Sequence, residues 1–287
     1  MKNLIKKLVH RNPAIKKDNV LIIDDYYPFV SKPRYYAGKP NIHLYNIIDR
    51  NRTNYANLLR EFIEYKDKFN NIQINFAAKD TDPVWENGWI PALDSMSLYV
   101  LLTKYNPTSY IEIGSGNSTK FARKAIIDSN LKTRITSIDP HPVAEIDKIC
   151  DKIIRKNLED VELDIFDTLW ENDILFVDNS HRLFMNSDST VTFLDILPRL
   201  RKGVLVEFHD ICLPYDYPED WINRYYSEQY GLACYMLAEG DKFEVVLPNK
   251  FVVFDHELMS GLNELWNYGN LKKTEKNGCS FWIRILK

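Results

Sequence analysis

The 287-residue chain carries 37 Lys and Arg against 40 Asp and Glu, a formal net charge of −3, with 45% hydrophobic and 27% charged residues. Such a composition belongs to a globular chain long enough to bury a sizeable core, and it excludes collagen-like and disordered classes. The balanced charge lacks the basic footprint of a nucleic-acid partner, and no window approaches the roughly 20 apolar residues of a spanning helix.

Residues 1–17, MKNLIKKLVHRNPAIKK, are basic, and lysines interrupt their apolar positions, so no signal-peptide core forms. A short amphipathic helix in weak contact with a membrane surface is the alternative to a plain terminus. LIIDDYYPFV, residues 21–30, reads as a strand, and apolar residues at helical spacing predict a helix over 51–70. Residues 1–80 are expected to form an N-terminal extension or helical cap, and 81–287 a catalytic domain. Trp85, Trp89 and Pro91 precede a helix expected over 93–104, which Pro107 ends.

From residue 109 the pattern alternates. Strands are predicted at 109–113, 134–138, 152–155, 174–178 and 204–209, with helices at 118–129 and 187–200 between them. Alternation of this kind means parallel strands with helical crossovers, hence an α/β doubly wound sheet, and the near-continuous apolar runs fit strands covered on both faces. A helix over 221–237 follows, then KFEVVLP as a sixth strand, a helical insertion around 258–266, and CSFWIRI as a seventh strand. The four cysteines, Cys150, Cys212, Cys234 and Cys279, form no C-x-x-C pair and read as buried thiols of a reducing compartment, so the expected location is cytoplasmic.

In open α/β sheets ligands bind at the carboxyl ends of the strands, so the strand-end residues carry the chemistry. The first strand ends in YIEIGSGNST: Glu112, Gly114, Ser115, Gly116, Asn117, Ser118, Thr119. Two glycines between strand and helix let backbone N–H groups approach a ligand. Asp139, followed by Pro140, ends the second strand at the distance expected of an acid that binds ribose hydroxyls. A pyrophosphate turn would want a third glycine where Thr119 stands, and an acid at Glu112 suits a cationic ligand instead. S-adenosylmethionine has an ammonium, a sulfonium and a ribose. Asn117, Ser118 and Thr119 also read as helix N-cap residues.

IEIGSGNST followed by ITSIDP resembles motifs one and two of the class I S-adenosylmethionine-dependent methyltransferases. DNSH after strand four and HD after strand five resemble a subfamily whose relatives are encoded near glycan and polysaccharide genes, over about residues 82–247. The resemblance implies a seven-stranded Rossmann-like sheet, S-adenosylmethionine as cofactor, and an O-methyltransferase acting on a hydroxyl of a sugar or polysaccharide precursor. Asn157 and Leu158 stand where this fold often meets the adenine.

A sugar hydroxyl needs a base, and His181 and His209, at adjacent strand ends, titrate near neutrality. Asp178 is the third catalytic candidate and orients the base. Alternatively Asp178, His209 and Asp210 hold a divalent metal such as Mg that lowers the hydroxyl pKa. Trp85, Asn87, Gly88 and Trp89, with Tyr215, Asp216, Tyr217 and Trp221, are candidates for the acceptor cleft or for ordinary packing, and Asp188 opens the helix after strand four. Other small-molecule acceptors, a phenol or an amine, fit the same cofactor residues. A nicotinamide-dependent oxidoreductase or epimerase is disfavoured because no Tyr-x-x-x-Lys pair stands in the central helices, and DNA methylation because no D/N-P-P-Y/F motif follows strand four. Neither heptads nor repeats fix an oligomeric state.

Overall fold

A computed structural model describes residues 32–238 and 241–287. The apolar runs that read as strands pair into one sheet: β1 (Ser109–Ile113), β2 (Arg134–Ile138), β3 (Lys152–Ile154), β4 (Ile174–Val177), β5 (Leu205–Phe208), β6 (Phe243–Pro248) and β7 (Phe281–Ile285). Their order is β3-β2-β1-β4-β5-β7-β6. The first five are parallel, and β7 runs antiparallel to both β5 and β6. The chain reverses its direction of travel across the sheet between β1 and β4, which opens a crevice at their carboxyl ends. β4 is wholly buried, as its unbroken apolar run requires, and β5 is wholly buried although Glu207 interrupts its apolar run. Main-chain bonds run one residue past the strands: Gly114 donates to Ile138, Asp139 to Ile154, Asp178 to Ile113 and His209 to Val177. Those four residues therefore stand side by side along the crevice.

Helices α1 (Ile42–Asp49) and α2 (Arg52–Phe62) come first, and Asn41 caps α1 by accepting from the amides of His43 and Leu44. Pro33–Lys287 forms one compact unit, so the helices before residue 80 share a core with the sheet: Tyr55, Phe62 and Phe69 are fully buried, and Arg52 binds Asp255 at 2.5 and 2.7 Å. α3 (Ala92–Tyr105) is buried on all sides from Ala92 to Leu102, with Asp94 inside that run, and Asn106 ends it in the left-handed region. α4 (Asn117–Asp128) follows the glycine turn and is tied to α3 by the Tyr99 hydroxyl, which donates to Asp128.

Two predicted helices are interrupted. The 187–200 segment begins as α5 (Asp188–Val191), capped by Ser187, and continues as a π-turn over Thr192–Ile196 and a 3-10 turn over Leu197–Arg199. Pro198 has no N–H for the α-helical ladder, and the Thr192 hydroxyl takes the Asp188 carbonyl. The 221–237 segment splits into a 3-10 turn over Glu219–Arg224 and α6 (Glu228–Leu237), because Tyr225 is left-handed at φ 55° and the amides of Ser227 and Glu228 donate to the carbonyl of His181. After β6, α7 (Asn249–Phe254) precedes the expected insertion, present as short helices over His256–Ser260 and Asn263–Trp266. The basic stretch 1–17 and the strand expected at 21–30 lie outside the described residues. Among the described residues no helix is long and apolar enough to cross a membrane.

Candidate active site

A cleft of about 1210 Å³ opens at the strand ends, lined on one side by Gly114, Ser115, Gly116, Asn117, Ser118 and Asp139, and on the other by Asp178, His181, His209, Asp210, Trp221 and Tyr226. On the first side the backbone sets the geometry. Gly114 has φ 76°, and a Cβ there would stand 1.6 Å from the carbonyl oxygen of Asp178, so no other residue fits. The Asp139 carboxylate accepts from the amides of Ser115 (2.8 Å) and His141 (2.7 Å), one on each oxygen, which leaves each oxygen a lone pair. Arg155 braces the same corner through the carbonyl of Asp139 and the hydroxyl of Ser137.

Glu112 and Pro140, expected to touch the cofactor, are not on the cleft wall. Glu112 is fully buried beneath the turn, where it accepts from the hydroxyls of Tyr110 and Thr119, while Thr119 in turn accepts from the amide of Gly116. Burial pushes the Glu112 carboxyl up to about 7 despite those donors. The N-cap of α4 is Gly116 rather than Asn117 or Ser118, and Thr119 supplies the reciprocal bond. The amides of Asn117 and Ser118, in the first turn of α4, have no partner within the helix.

The second side is built of side chains. His181 is left-handed at φ 57°, with Nδ1 2.9 Å from Glu228 Oε2 and Nε2 3.2 Å from Asp178 Oδ1. Burial opposes its charge, but the hydrogen bonds to Asp178 and Glu228 outweigh it and hold the imidazole pKa well above its ordinary value. Burial likewise opposes ionisation of Asp178, yet the imidazoles of His209 and His181 bring its pKa below the usual carboxylate value. Asp178 keeps 37% of its side chain exposed, toward the cleft. His209 faces Glu207 through Nδ1 (3.6 Å) and Asp210 through Nε2 (3.7 Å). Burial works against its charge too, and the carboxylates of Asp178, Glu207 and Asp210 draw positive charge onto it.

The set Asp178, His209 and Asp210, read as a magnesium site, does not gather; among the described residues the cluster with metal-ligating spacing is Asp94, His209 and Cys279. Asp178 pairs with His181 instead, because the left-handed turn swings that imidazole toward it. Trp85, Gly88, Trp89 and Trp221 line the cleft, whereas Tyr215, Asp216, Tyr217, Asn157 and Leu158 do not. Tyr215 packs on Phe254, Tyr217 on Trp221 and Tyr226, and Asp216 accepts from the amides of Arg34 and Tyr35. Asn87 closes its own turn through Trp89 and Ile90, and Asp188 anchors Ser180 through two hydrogen bonds. Glu228, Glu207, Asp94 and Cys279 escaped sequence reasoning. An acid inside the wholly apolar face of a buried helix or strand was the signal for Asp94 and Glu207; nothing local marks Glu228 or Cys279.

Residues 111–211 match the sequence model of a family described as a methyltransferase domain. The matched residues hold the glycine turn, Asp139, Asp178, His181, His209 and Asp210, so this part of the chain is similar to a methyltransferase domain. The matched stretch runs from within β1 to just beyond β5; Trp85, Gly88, Trp89, Trp221, Tyr226 and Cys279, which also line the cleft, lie outside it. A search of curated proteins finds no match to the chain. Solved structures similar to it include a Podospora anserina methyltransferase bound to S-adenosylhomocysteine, at 16% identity over 80% of this chain and 88% of that one, TM-score 0.42. An O-methyltransferase of Bacillus cereus in complex with the same product has 13% identity over 80% and 91%, TM-score 0.40. The O-methyltransferase TomG of Streptomyces achromogenes, involved in tomaymycin synthesis and solved with S-adenosylmethionine, has 14% identity over 80% and 89%, TM-score 0.40. Likeness at that level does not extend to substrate or residue roles.

Proposed function

We propose that the protein is an O-methyltransferase that transfers the methyl group of S-adenosylmethionine to a hydroxyl of a small molecule, with a sugar or glycan precursor as the acceptor class. The observation that carries this reading is the junction, in one cleft, of an amide-lined glycine turn with Asp139 and the Asp178 carboxylate 3.2 Å from the His181 imidazole. The donor set fits the cofactor: the free first-turn amides of α4 suit its carboxylate, and the spare lone pairs of Asp139 suit paired ribose hydroxyls. Glu112 acts beneath the turn, as the support that keeps Thr119 and Gly116 in register. When bound, S-adenosylmethionine supplies an electrophilic methyl on a sulfonium.

The chain's own residues position the acceptor and move its proton. Asp178, half-exposed in the cleft and 3.2 Å from His181, receives the hydroxyl proton and later returns it to solvent. His181, held by Glu228 and 3.2 Å from Asp178, orients that carboxylate, and the carboxylates on both its nitrogens favour its protonated form. Trp89 and Trp221 offer aromatic faces of the kind on which sugar rings stack, and Arg224 lies 4.0 Å over the Trp221 ring. The helices before residue 80 serve as a cover packed on the catalytic part, and we place the reaction in the cytoplasm.

Calorimetric titration with S-adenosylhomocysteine, with NADH as the comparison ligand, tests the cofactor half. Saturable binding of the homocysteine product alone is expected; binding of NADH instead would overturn the proposal. Transfer of labelled methyl to sugar hydroxyls, phenols and amines tests the acceptor class, and turnover with phenols or amines alone would remove the sugar.

A further inference from the structure

Methyl transfer as proposed leaves a buried side-chain cluster unused. His209 Nε2 has no hydrogen-bond partner although it is buried on the cleft wall. It stands 3.7 Å from Asp210 Oδ1. Cys279 Sγ is 3.2 Å from that same oxygen and 3.6 Å from Asp94 Oδ2. The donor atoms of Asp94, His209 and Cys279 all lie within 4.8 Å of one another. Ligands about 2.0–2.3 Å from a tetrahedral zinc ion stand about 3.3–3.8 Å from each other; the Cys279–Asp94 edge of 3.6 Å has that length, and His209 closes the triangle within 4.8 Å.

The surroundings hold the donors in place. Asp94 Oδ1 accepts from the Ser280 amide and from Asn249, the Cys279 amide donates to both carboxylate oxygens, and Oδ2 also faces the thiol. Behind the His209 ring, Nδ1 is 3.4 Å from the Ser280 hydroxyl and 3.6 Å from Glu207 Oε1, and both Glu207 oxygens are buried without a hydrogen-bond partner. A carboxylate behind an imidazole fixes the tautomer that presents the opposite nitrogen to a metal. Three distant segments, the start of α3, the end of β5 and the approach to β7, bring these atoms together.

We propose that Asp94, His209 and Cys279 form a site for zinc or a similar borderline divalent ion on the floor of the cleft, with the fourth coordination position left to a ligand from the cleft. An imidazole and a thiolate select such an ion over magnesium, which prefers oxygen ligands alone. Binding converts the Cys279 thiol to a thiolate and needs a neutral His209 imidazole, so the thiol proton and any proton on His209 leave to solvent. His209, Asp210 and Cys279 line the cleft together with Asp178. On the proposed methyl transfer, the ion lowers the pKa of the acceptor hydroxyl whose proton Asp178 receives.

Cobalt(II) titration of the metal-stripped full-length protein reads the site directly. The expected result is a thiolate-to-cobalt charge-transfer band that saturates at one ion per chain, persists in Cys212→Ser and disappears in Cys279→Ser. Glu207→Gln should keep the band and weaken the affinity by about 10–100-fold. X-ray absorption of the zinc-loaded wild type should show one sulfur at about 2.3 Å with nitrogen and oxygen at about 2.0–2.2 Å. Absence of the band, its survival in Cys279→Ser, or a zinc shell without sulfur overturns the site and leaves the cluster as hydrogen bonds. Titration of the same samples with S-adenosylhomocysteine separates the two proposals: product binding without the band removes only the metal, and the band without product binding removes only the cofactor reading.

Discussion

The glycine-turn side of the cleft, the proposed cofactor side, comes from one continuous stretch, 114–139, in which main-chain amides and a glycine conformation do most of the shaping, whereas the opposite side joins side chains spread from Asp178 to Cys279. On the first side a change acts through the backbone and should be felt as binding or folding. On the second it acts through a few charged contacts and should be felt as rate. The difference teaches that the ligand common to many enzymes can be held by a local motif, while the groups that meet a particular acceptor are free to come from anywhere the fold brings close.

The sharpest test of that division is Asp178→Asn. It removes the proton acceptor and leaves the carbonyl that packs on Gly114, so turnover in a labelled-methyl assay should fall by about 10²–10⁴-fold, while affinity for S-adenosylhomocysteine stays within about threefold, roughly 0.6 kcal/mol. An equal loss of affinity would break the comparison. Gly114→Ala should do the opposite. A positive φ and a Cβ 1.6 Å from the Asp178 oxygen force the turn to move, at a cost of about 3 kcal/mol in urea denaturation, and product binding should be lost with it.

The buried acid under the turn gives a pH signature. Glu112 has its carboxyl raised to about 7 from 4.5, so between those values the folded chain keeps a proton that the unfolded chain releases. Stability contributed by this group is therefore full below about pH 4.5 and declines as pH rises toward 7, by about 3 kcal/mol. Denaturation of Glu112→Gln against wild type at pH 5 and pH 8 should show the wild type losing more over that interval; parallel losses would remove Glu112 as the source. The smallest effect is expected from Asp139→Ala, which takes two amide partners and the ribose contact from the cofactor side: product affinity should weaken by about 10–100-fold in calorimetry with little change in turnover at saturation.

Legibility in the sequence followed the same division. The parallel strands, the glycine turn and Asp139 were readable because apolar runs, a two-glycine turn and an acid after the second strand are each local patterns. His181, His209 and Asp178 line the cleft, as their strand-end positions implied, but the carboxylates that surround them were not legible: Glu228 lies 47 residues beyond His181 and favours the charged form of its imidazole. Glu112 was read as a ligand to the cofactor because its distance from the glycines is visible and its depth below the turn is not.

By itself, then, the sequence determined the doubly wound sheet and the place of the glycine turn, since hydrophobic periodicity and backbone conformational preference act over a few residues. The tertiary structure alone decided which charges face one another. The break between Arg224 and Glu228 that delivers a carboxylate to His181, and the anchoring of Cys279 against Asp94 across 185 residues, arise from packing and main-chain hydrogen bonds between distant segments, and electrostatic fields depend on distance in space, not along the chain.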